Sequence, residues 1–485
     1  MTRDCTQFYV DGAWADAVET NCIDVINPAT ERPVGSVAIG DARDVDRAVA
    51  AARRSFDSGA WRMLPAVERA AALDRVCDEL VDRRDAIADL LIAETGLPRQ
   101  IVPILHVDHA IGFIRYYADL IRTTAFVEDR AIPGGTATVQ RLPVGVVAAI
   151  APWNVPLLAA FSKIGPALAA GCSVVFKPSP ETPLHAFLVA EAFAAAGLPA
   201  GVFNLVVADT PGSAHLCAHP DIDMVAFTGS TRVGQSIAAA CAPAMRRYAL
   251  ELGGNAAAIV LDDAPAELLA AGLTVTGLAL NNGEACIAQR RVLVPRRRHD
   301  EIVELLVAGA RALPIGDPDD PATALGPMIN AAHRDRVLAY SDIASREGAV
   351  VATGGGRVRD RDVGYFVEPT VYARATNAMR IAREEIFGPA ICVIPYDSEA
   401  EAIAIAQDTE FGLSSSVWTA DHARGTALAR RLRVGSVYVN ASLGLHANVP
   451  FGGFGQSGVG RELGPEGLDE YLETQVVICP QVGAP

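Results

Sequence analysis

The sequence predicts an α/β protein: two doubly wound parallel sheets layered with helices, and a small β ribbon beside them. Three observations predict it. Short apolar runs recur about 20–30 residues apart from position 144 onward, with helical patterns between most of them. The runs are apolar on both faces, which is how a strand reads when helices cover both sides of its sheet. Two further stretches fit neither series and read as extended, partly exposed strands.

In chain order, the N-terminal part is mixed, and residues 43–92 read as charged, Ala-rich amphipathic helices. TTAFVEDRAIPGGTATVQRL (123–142) is the first ribbon candidate. The first series of strands is VGVVAAI, SVVFKP, FNLVVA, MVAFTGS and YALEL, with helices over 184–196 and 231–241. Sheets of this kind bind ligands beyond the carboxyl ends of their strands. A seam near Gly253-Gly254 leads to the second series, AAAIVL, RRVLVP, AICVIPY, SSVWT and GSVYVN, with helices at 264–281, 298–311, 398–408 and 421–432. YLETQVVIC (471–479) is the second ribbon candidate. Unpaired strand edges invite association, so the two candidates pair with each other or with another subunit.

The 485 residues suffice for two to four domains of roughly 100–200 residues. A net charge of −16 speaks against a nucleic-acid partner, which needs clustered Lys and Arg. The basic run Arg296 to Arg298 reads as the solvated opening of a helix. No apolar run approaches the ~18 residues that span a membrane. The N-terminus carries Asp4 and no apolar signal core, so secretion is not expected. Nine cysteines without a CxxC pair fit free thiols in a reducing cytoplasm. His106 and His109 lie in an apolar helical stretch and read as packing residues, so no metal site is expected.

Chemistry concentrates in four stretches. NNGEACIAQRR (281–291) places Cys286 directly after a turn signal, at a loop or helix start; a helix N-terminus there would favour thiolate. APWN (151–154) follows the first strand and offers the Asn154 amide to a developing oxyanion. LELGG (250–254) ends another strand with Glu251 between leucines, a setting that raises a carboxyl pKa and suits a general base. FTGSTRVG (227–234) is a strand–turn–helix suited to cradling a phosphate, although GxGxxG occurs nowhere.

Taken together, these stretches resemble the aldehyde dehydrogenase superfamily over nearly the whole chain. INPAT, APWN, FKPSPETP, FTGSTRVG, LELGG, NNGEAC, EEIFGP and PFGGFGQSGVGRELG occur in the family's order. The resemblance implies a Rossmann-like cofactor domain (1–122 and 143–253), a catalytic domain (254–450) and an oligomerisation segment (123–142 and 466–485) that makes a homodimer or homotetramer. It implies that Cys286 is the nucleophile, Glu251 the general base and Asn154 the oxyanion donor, with the Cys286 N–H as second donor. Lys163 matches a second lysine near Asn154, and Glu462 an acid that relays protons to water. For NAD, it implies Lys177 at the ribose hydroxyls and Gly229 and Ser230 at the pyrophosphate. Glu385 and Phe387 fall at the nicotinamide ribose, and Pro152, Trp153, Ser179 and Leu252 complete the cofactor site. The aldehyde tunnel would be lined by Val155, Ala159 and Ser162 from one side. Ala285, Ile287, Leu445 and Phe451 line it from the other.

The chain departs from the family in three places. Glu284 stands where Gln is common, and it either faces solvent or an arginine (Arg290 or Arg291), or raises the Cys286 thiol pKa by its charge. Pro180 replaces a glutamate that repels a 2′-phosphate, which opens NADP as a possibility, with Lys177 and Ser179 as its donors; NAD stays favoured because no extra arginine accompanies it. Gly455 replaces a lysine and reads as a surface-loop change. His446 offers the tunnel one polar contact or is a plain loop residue. The apolar lining points to a hydrophobic aldehyde oxidised to its acid. The competing readings are a thiol acyl-transfer enzyme (an esterase, or a dehydrogenase that passes the acyl group to coenzyme A) and a non-catalytic binding protein.

Overall fold

The computed structural model describes residues 3–133, 135–441 and 444–480. Residues 481–485, the end of the expected oligomerisation segment, lie outside the described residues.

The first apolar series forms an eight-stranded sheet. Its order is Gly458–Val459, Arg247–Glu251, Met224–Thr228, Val146–Ile150, Ser173–Lys177, Phe203–Leu205, Gln7–Val10 and Ala13–Asp16. The strands from Arg247–Glu251 to Phe203–Leu205 are parallel, and the flanking pairings are antiparallel. Every residue of Val146–Ile150 and Ser173–Lys177 is buried, as the unbroken apolar runs require. Helix Pro156–Ala170 is buried along its whole length and returns the chain from the first strand to the second. The order reverses at Val146–Ile150: the chain builds outward from it on one side first and on the other side later. Such a switch point leaves a crevice beyond the strand ends. The turns carrying Asn154, Lys177, Gly229 and Glu251 all end there.

The second series forms a seven-stranded sheet in the order Val350–Thr353, Thr370–Ala373, Ala390–Tyr396, Gln289–Pro295, Ala256–Val260, Ser414–Trp418 and Ser436–Val439. All its pairings are parallel except that of Val350–Thr353. The first sheet yields to the second between Glu251 and Ala256, at the expected seam.

The two ribbon candidates pair with each other. Leu472–Pro480 runs antiparallel to Gly135–Pro143, which in turn pairs with Val127–Ile132. A three-stranded sheet of Arg3–Cys5, Arg32–Ala38 and Cys22–Asn27 lies in the segment that had read only as mixed.

One element differs in kind. The single helix expected over 264–281 is an α-helix only for Ala266–Thr274. It widens over Val275–Ala279 and tightens over Leu280–Gly283, where Asn281 and Asn282 adopt left-handed φ of 54° and 56°. Asparagine tolerates that conformation better than most side chains, and it ends the helix before the thiol is reached. Cys286 therefore lies in a turn that feeds strand Gln289–Pro295 and not at a helix N-terminus.

Candidate active site

Cys286 is held in an apolar cluster with Ala285, Ile287, Ala288, Leu280, Leu413 and Phe451, and keeps partial exposure. Without a helix terminus to favour thiolate, burial pushes the thiol up to about 12, and the Glu385 and Glu251 carboxylates push the same way. Glu251 ends strand Arg247–Glu251. Burial, followed by the Glu462 carboxylate, raises its carboxyl well above the usual range against the pull of Lys163. Its Oε2 has no hydrogen-bond partner among the described residues, a free oxygen in a buried setting. The turn after it must be glycine: a Cβ on Gly253 would meet Glu385 Oε2 at 2.5 Å, and one on Gly254 would run into the Cys286 carbonyl oxygen.

Asn154 is tied to the nucleophile loop. Its Nδ2 donates to the Glu284 carbonyl at 2.8 Å. Asn281 Nδ2 reaches back to the Asn154 carbonyl (2.7 Å) and to the Glu284 carbonyl (3.2 Å). An amide nitrogen carries two hydrogens, so one holds the loop and the second is available to a ligand. Behind Glu251, Lys163 donates to Glu462 Oε1 at 2.6 Å, to Thr228 Oγ1 at 2.5 Å and to the Ala159 carbonyl at 3.1 Å. Ser162 donates to Glu462 Oε2 at 2.7 Å, so its hydroxyl belongs to this network. A buried ion pair survives only when its remaining valences are met in this way.

The expected cofactor residues lie at the strand ends and turns of the first sheet and around the turn that carries Glu385 and Phe387. Lys177 ends its strand, and burial lowers its ammonium to about 8, opposed by Glu181 and Asp209. Ser179 donates to the Glu181 carboxylate. The Gly229 N–H donates to the Glu251 carbonyl at 3.0 Å, and Ser230 caps helix Thr231–Cys241 through the Val233 N–H. The Leu252 N–H is held by the Ser457 carbonyl at 3.0 Å. Glu385 Oε1 accepts the Gly254 N–H at 2.9 Å, and burial raises that carboxyl to about 7. Trp153, next to Pro152, packs edge-on to Phe387 with ring centres 5.5 Å apart. These residues fit a dinucleotide: a lysine and a helix N-terminus for its anionic half, and an acid and an aromatic ring for the far ribose and base.

Along the proposed tunnel, Ala159 lies in the first sheet's core, with Val155, Leu445 and Phe451 packed against its margin. His109 meets the Leu445 carbonyl at 2.6 Å, and His446 is exposed. His106 is buried, which lowers its imidazole to about 4 and keeps it neutral, as a packing residue should be. Arg296, Arg297 and Arg298 pair with Asp397, Asp262 and Glu301 on the surface. Gly455 is exposed in the two-residue strand Phe454–Gly455. Asp46, His215 and His219 gather their donor atoms within 4.8 Å of one another. His219 Nδ1 accepts the Asp221 N–H at 3.1 Å, so its proton sits on Nε2 and faces Asp46, which makes the trio a hydrogen-bonded cluster.

Glu284 does not face solvent; of the expected alternatives it comes within reach of the arginine Arg290. Its side chain is 2% exposed and accepts the Ile329 N–H at 3.0 Å, with the Arg290 charge beside it. The carboxylates that act most on the Cys286 thiol are Glu385 and Glu251. Sequence reasoning missed Asn281, Thr228, Glu181 and His333, and named Arg290 only as a partner of Glu284 without its bonds to the Gly283 and Gly388 carbonyls. NNG carried a turn signal but no hint that its first side chain would hold the oxyanion donor.

The aldehyde dehydrogenase family model matches residues 14–477. The chain belongs to the aldehyde dehydrogenase family. It is 45% identical over 472 residues to a geranial dehydrogenase of Castellaniella defragrans, covering 97% of this chain and 98% of that one. It is 41% identical to a 3-succinoylsemialdehyde-pyridine dehydrogenase of a Pseudomonas species, covering 98% and 99%. Among solved structures it is similar to a Mycobacterium tuberculosis aldehyde dehydrogenase complexed with NAD+ (TM-score 0.97, 41% identity, full coverage of both chains). It is also similar to aldehyde dehydrogenase C of Pseudomonas syringae, a cysteine-to-alanine mutant complexed with NAD+ and octanal (TM-score 0.93, 40% identity, 98% and 96% covered). This aldehyde dehydrogenase thus has the family's Rossmann-like domain, catalytic domain and ribbon, and is an NAD-dependent oxidoreductase of aldehydes. Among the described residues no helix is long and apolar enough to cross a membrane.

Proposed function

We propose that this enzyme oxidises a hydrophobic aldehyde to its carboxylic acid through a covalent bond to Cys286. The observation that carries the reading is that the Asn154 amide is bonded to the nucleophile's own loop, with the Glu251 carboxylate near enough to raise the same thiol's pKa. The Cys286 sulfur, once deprotonated, adds to the carbonyl carbon and leaves a thiohemiacetal oxyanion. The free Asn154 hydrogen and the Cys286 N–H meet that oxygen; one such donor is typically worth ~10²–10³ in rate. When bound, the NAD supplies the acceptor for the hydride that leaves as the thiohemiacetal collapses to a thioester. Glu251 then takes a proton from water, whose oxygen attacks the thioester carbon; the C–S bond breaks, and the acid leaves with the sulfur returned as thiolate for the next turnover. The raised pKa of Glu251 suits it to that proton, and Lys163 and Glu462 lead it away from the crevice.

The hydrophobic substrate is supported by the apolar cluster around Cys286, and by relatives that are a geranial dehydrogenase and an octanal complex. NAD over NADP is supported by Glu181, whose carboxylate faces Lys177 and Ser179 one residue after Pro180 and would repel a 2′-phosphate. Residues 1–122 and 143–253 hold the cofactor, 254–450 carry the nucleophile, and 123–142 with 466–485 make a dimer or tetramer. The nine cysteines are free among the described residues, which supports a reducing, cytoplasmic setting.

An aldehyde panel followed by cofactor absorbance, with NAD and with NADP, tests this. Octanal or a terpenoid aldehyde should exceed a dicarboxylic semialdehyde in kcat/KM, with NAD preferred and free acid as product. A thioester product in the presence of coenzyme A would instead establish the acyl-transfer reading.

A further inference from the structure

Glu284 has no task in that mechanism, yet its two ends reach both halves of the site. Its carbonyl holds Asn154 and Asn281. Its carboxyl holds the Ile329 N–H at 3.0 Å, just ahead of helix Ala331–Arg346, and Oε1 stands 3.5 Å from His333 Nε2 on that helix. The same His333 nitrogen lies 2.6 Å from the Phe387 carbonyl. A carbonyl only accepts, so the proton is on Nε2. Burial, which lowers the imidazole to about 4, leaves it neutral with that single donor.

Phe387 needs holding. Its φ of 58° is left-handed, a strained conformation for an aromatic residue that persists only when its surroundings fix it. His333 and Trp153 pack against its ring, with centres 5.9 and 5.5 Å away, and against each other at 5.5 Å, so the three rings form one cluster. Arg290 makes a second tie, donating to the Gly283 carbonyl, just before Glu284, and to the Gly388 carbonyl, just after Phe387. A Cβ on Gly283 would strike the Gly388–Pro389 backbone, so the two loops lie against each other.

We infer that Glu284 and His333 are positioning residues that lock the Phe387 loop to the nucleophile loop, and so set the wall against which the nicotinamide ring packs. This rests on the cofactor reading above, in which Phe387 borders that ring. The carboxyl acts through its acceptor oxygen, which a glutamine amide reproduces and an alanine does not.

The test is steady-state kinetics with NAD and octanal on Glu284→Ala, Glu284→Gln, His333→Leu, the Glu284→Ala/His333→Leu double variant and Phe387→Ala. Glu284→Ala and His333→Leu each raise the NAD KM about tenfold, the scale of one lost buried hydrogen bond, while the octanal KM stays put. The double variant is no worse than either single one, as expected for two parts of one device. Glu284→Gln restores the wild-type NAD KM, and its iodoacetamide alkylation profile against pH overlays the wild type. If Phe387→Ala raises the NAD KM while Glu284→Ala and His333→Leu leave it unchanged, the lock is wrong and the cofactor reading stands. If Phe387→Ala itself changes nothing, the cofactor reading fails. A shifted alkylation profile in Glu284→Gln would overturn the inference in favour of a direct effect on the thiol. Should Glu284→Ala fail to fold, His333→Leu against Phe387→Ala decides alone.

Discussion

At the scale of single residues, the chemistry depends on how few groups touch Cys286. Asn154 offers one free hydrogen, because the other is spent on the Glu284 carbonyl. Asn154→Ala should therefore lower kcat by ~10²–10³ with the protein still folded, read by kcat beside a thermal melt. The thiol makes a second prediction. With burial and two carboxylates holding it near 12, cofactor-free enzyme should be alkylated faster at every step up in pH, with no plateau by pH ~10. Saturating NAD+ brings a cationic ring into the same enclosure, and the profile should then move to lower pH; an unmoved profile would separate the cofactor site from the thiol. Cys286, Glu251 and Asn154 were legible because each sits in a short stretch whose chemistry is local. The distant ties of Arg290, Thr228 and His333 were not. These residues bond to atoms more than fifty residues away in other elements, and nothing in RR, FT or AAHRD states where those atoms will be.

At the scale of elements, the strands were legible and the approach to the thiol was not. Val146–Ile150 and Ser173–Lys177 are buried on both faces, so composition alone marks them. The run ending at Leu280 is equally apolar, yet left-handed Asn281 and Asn282 break its helix because their side chains reach fixed partners. Tertiary hydrogen bonds there override local preference. The opposite turn is as tightly specified: Gly254 passes against the Cys286 carbonyl with no room for a side chain. Gly254→Ala should cost about 1–3 kcal/mol of stability by forcing the two loops apart. It should also lower kcat by about 10²-fold, the effect of a misplaced reacting atom. A melt and a kcat on the same preparation check both, and an active, fully stable variant would show that the turn can yield.

At the scale of the whole molecule, the proposed assembly rests on the ribbon. The pairing of Leu472–Pro480 with Gly135–Pro143 was foreseeable, since both segments read as exposed strands with no other neighbour. Its outer strand Val127–Ile132 is almost entirely exposed, and Val127, Val476 and Ile478 present apolar side chains from the ribbon's strands, Ile478 at 62% exposure. Such an exposed, partly apolar edge is the surface on which the proposed dimer or tetramer would form. Truncation after Leu472 should reduce the species seen by light scattering to a smaller one. A truncated enzyme with unchanged mass would place the interface elsewhere.

The sheet that ends in Glu251 is bounded on that side by Gly458–Val459, and Glu462 and the ribbon's last strand follow later still. These partners leave the ribosome hundreds of residues after the strands they join, so during synthesis the first sheet waits with one border open and the proton path incomplete. The Arg247–Glu251 border and the buried partner of Lys163 are therefore completed only once residues 458–462 have been made, and a chaperone that shields that border would be guarding the part of the first sheet that waits longest for its neighbour.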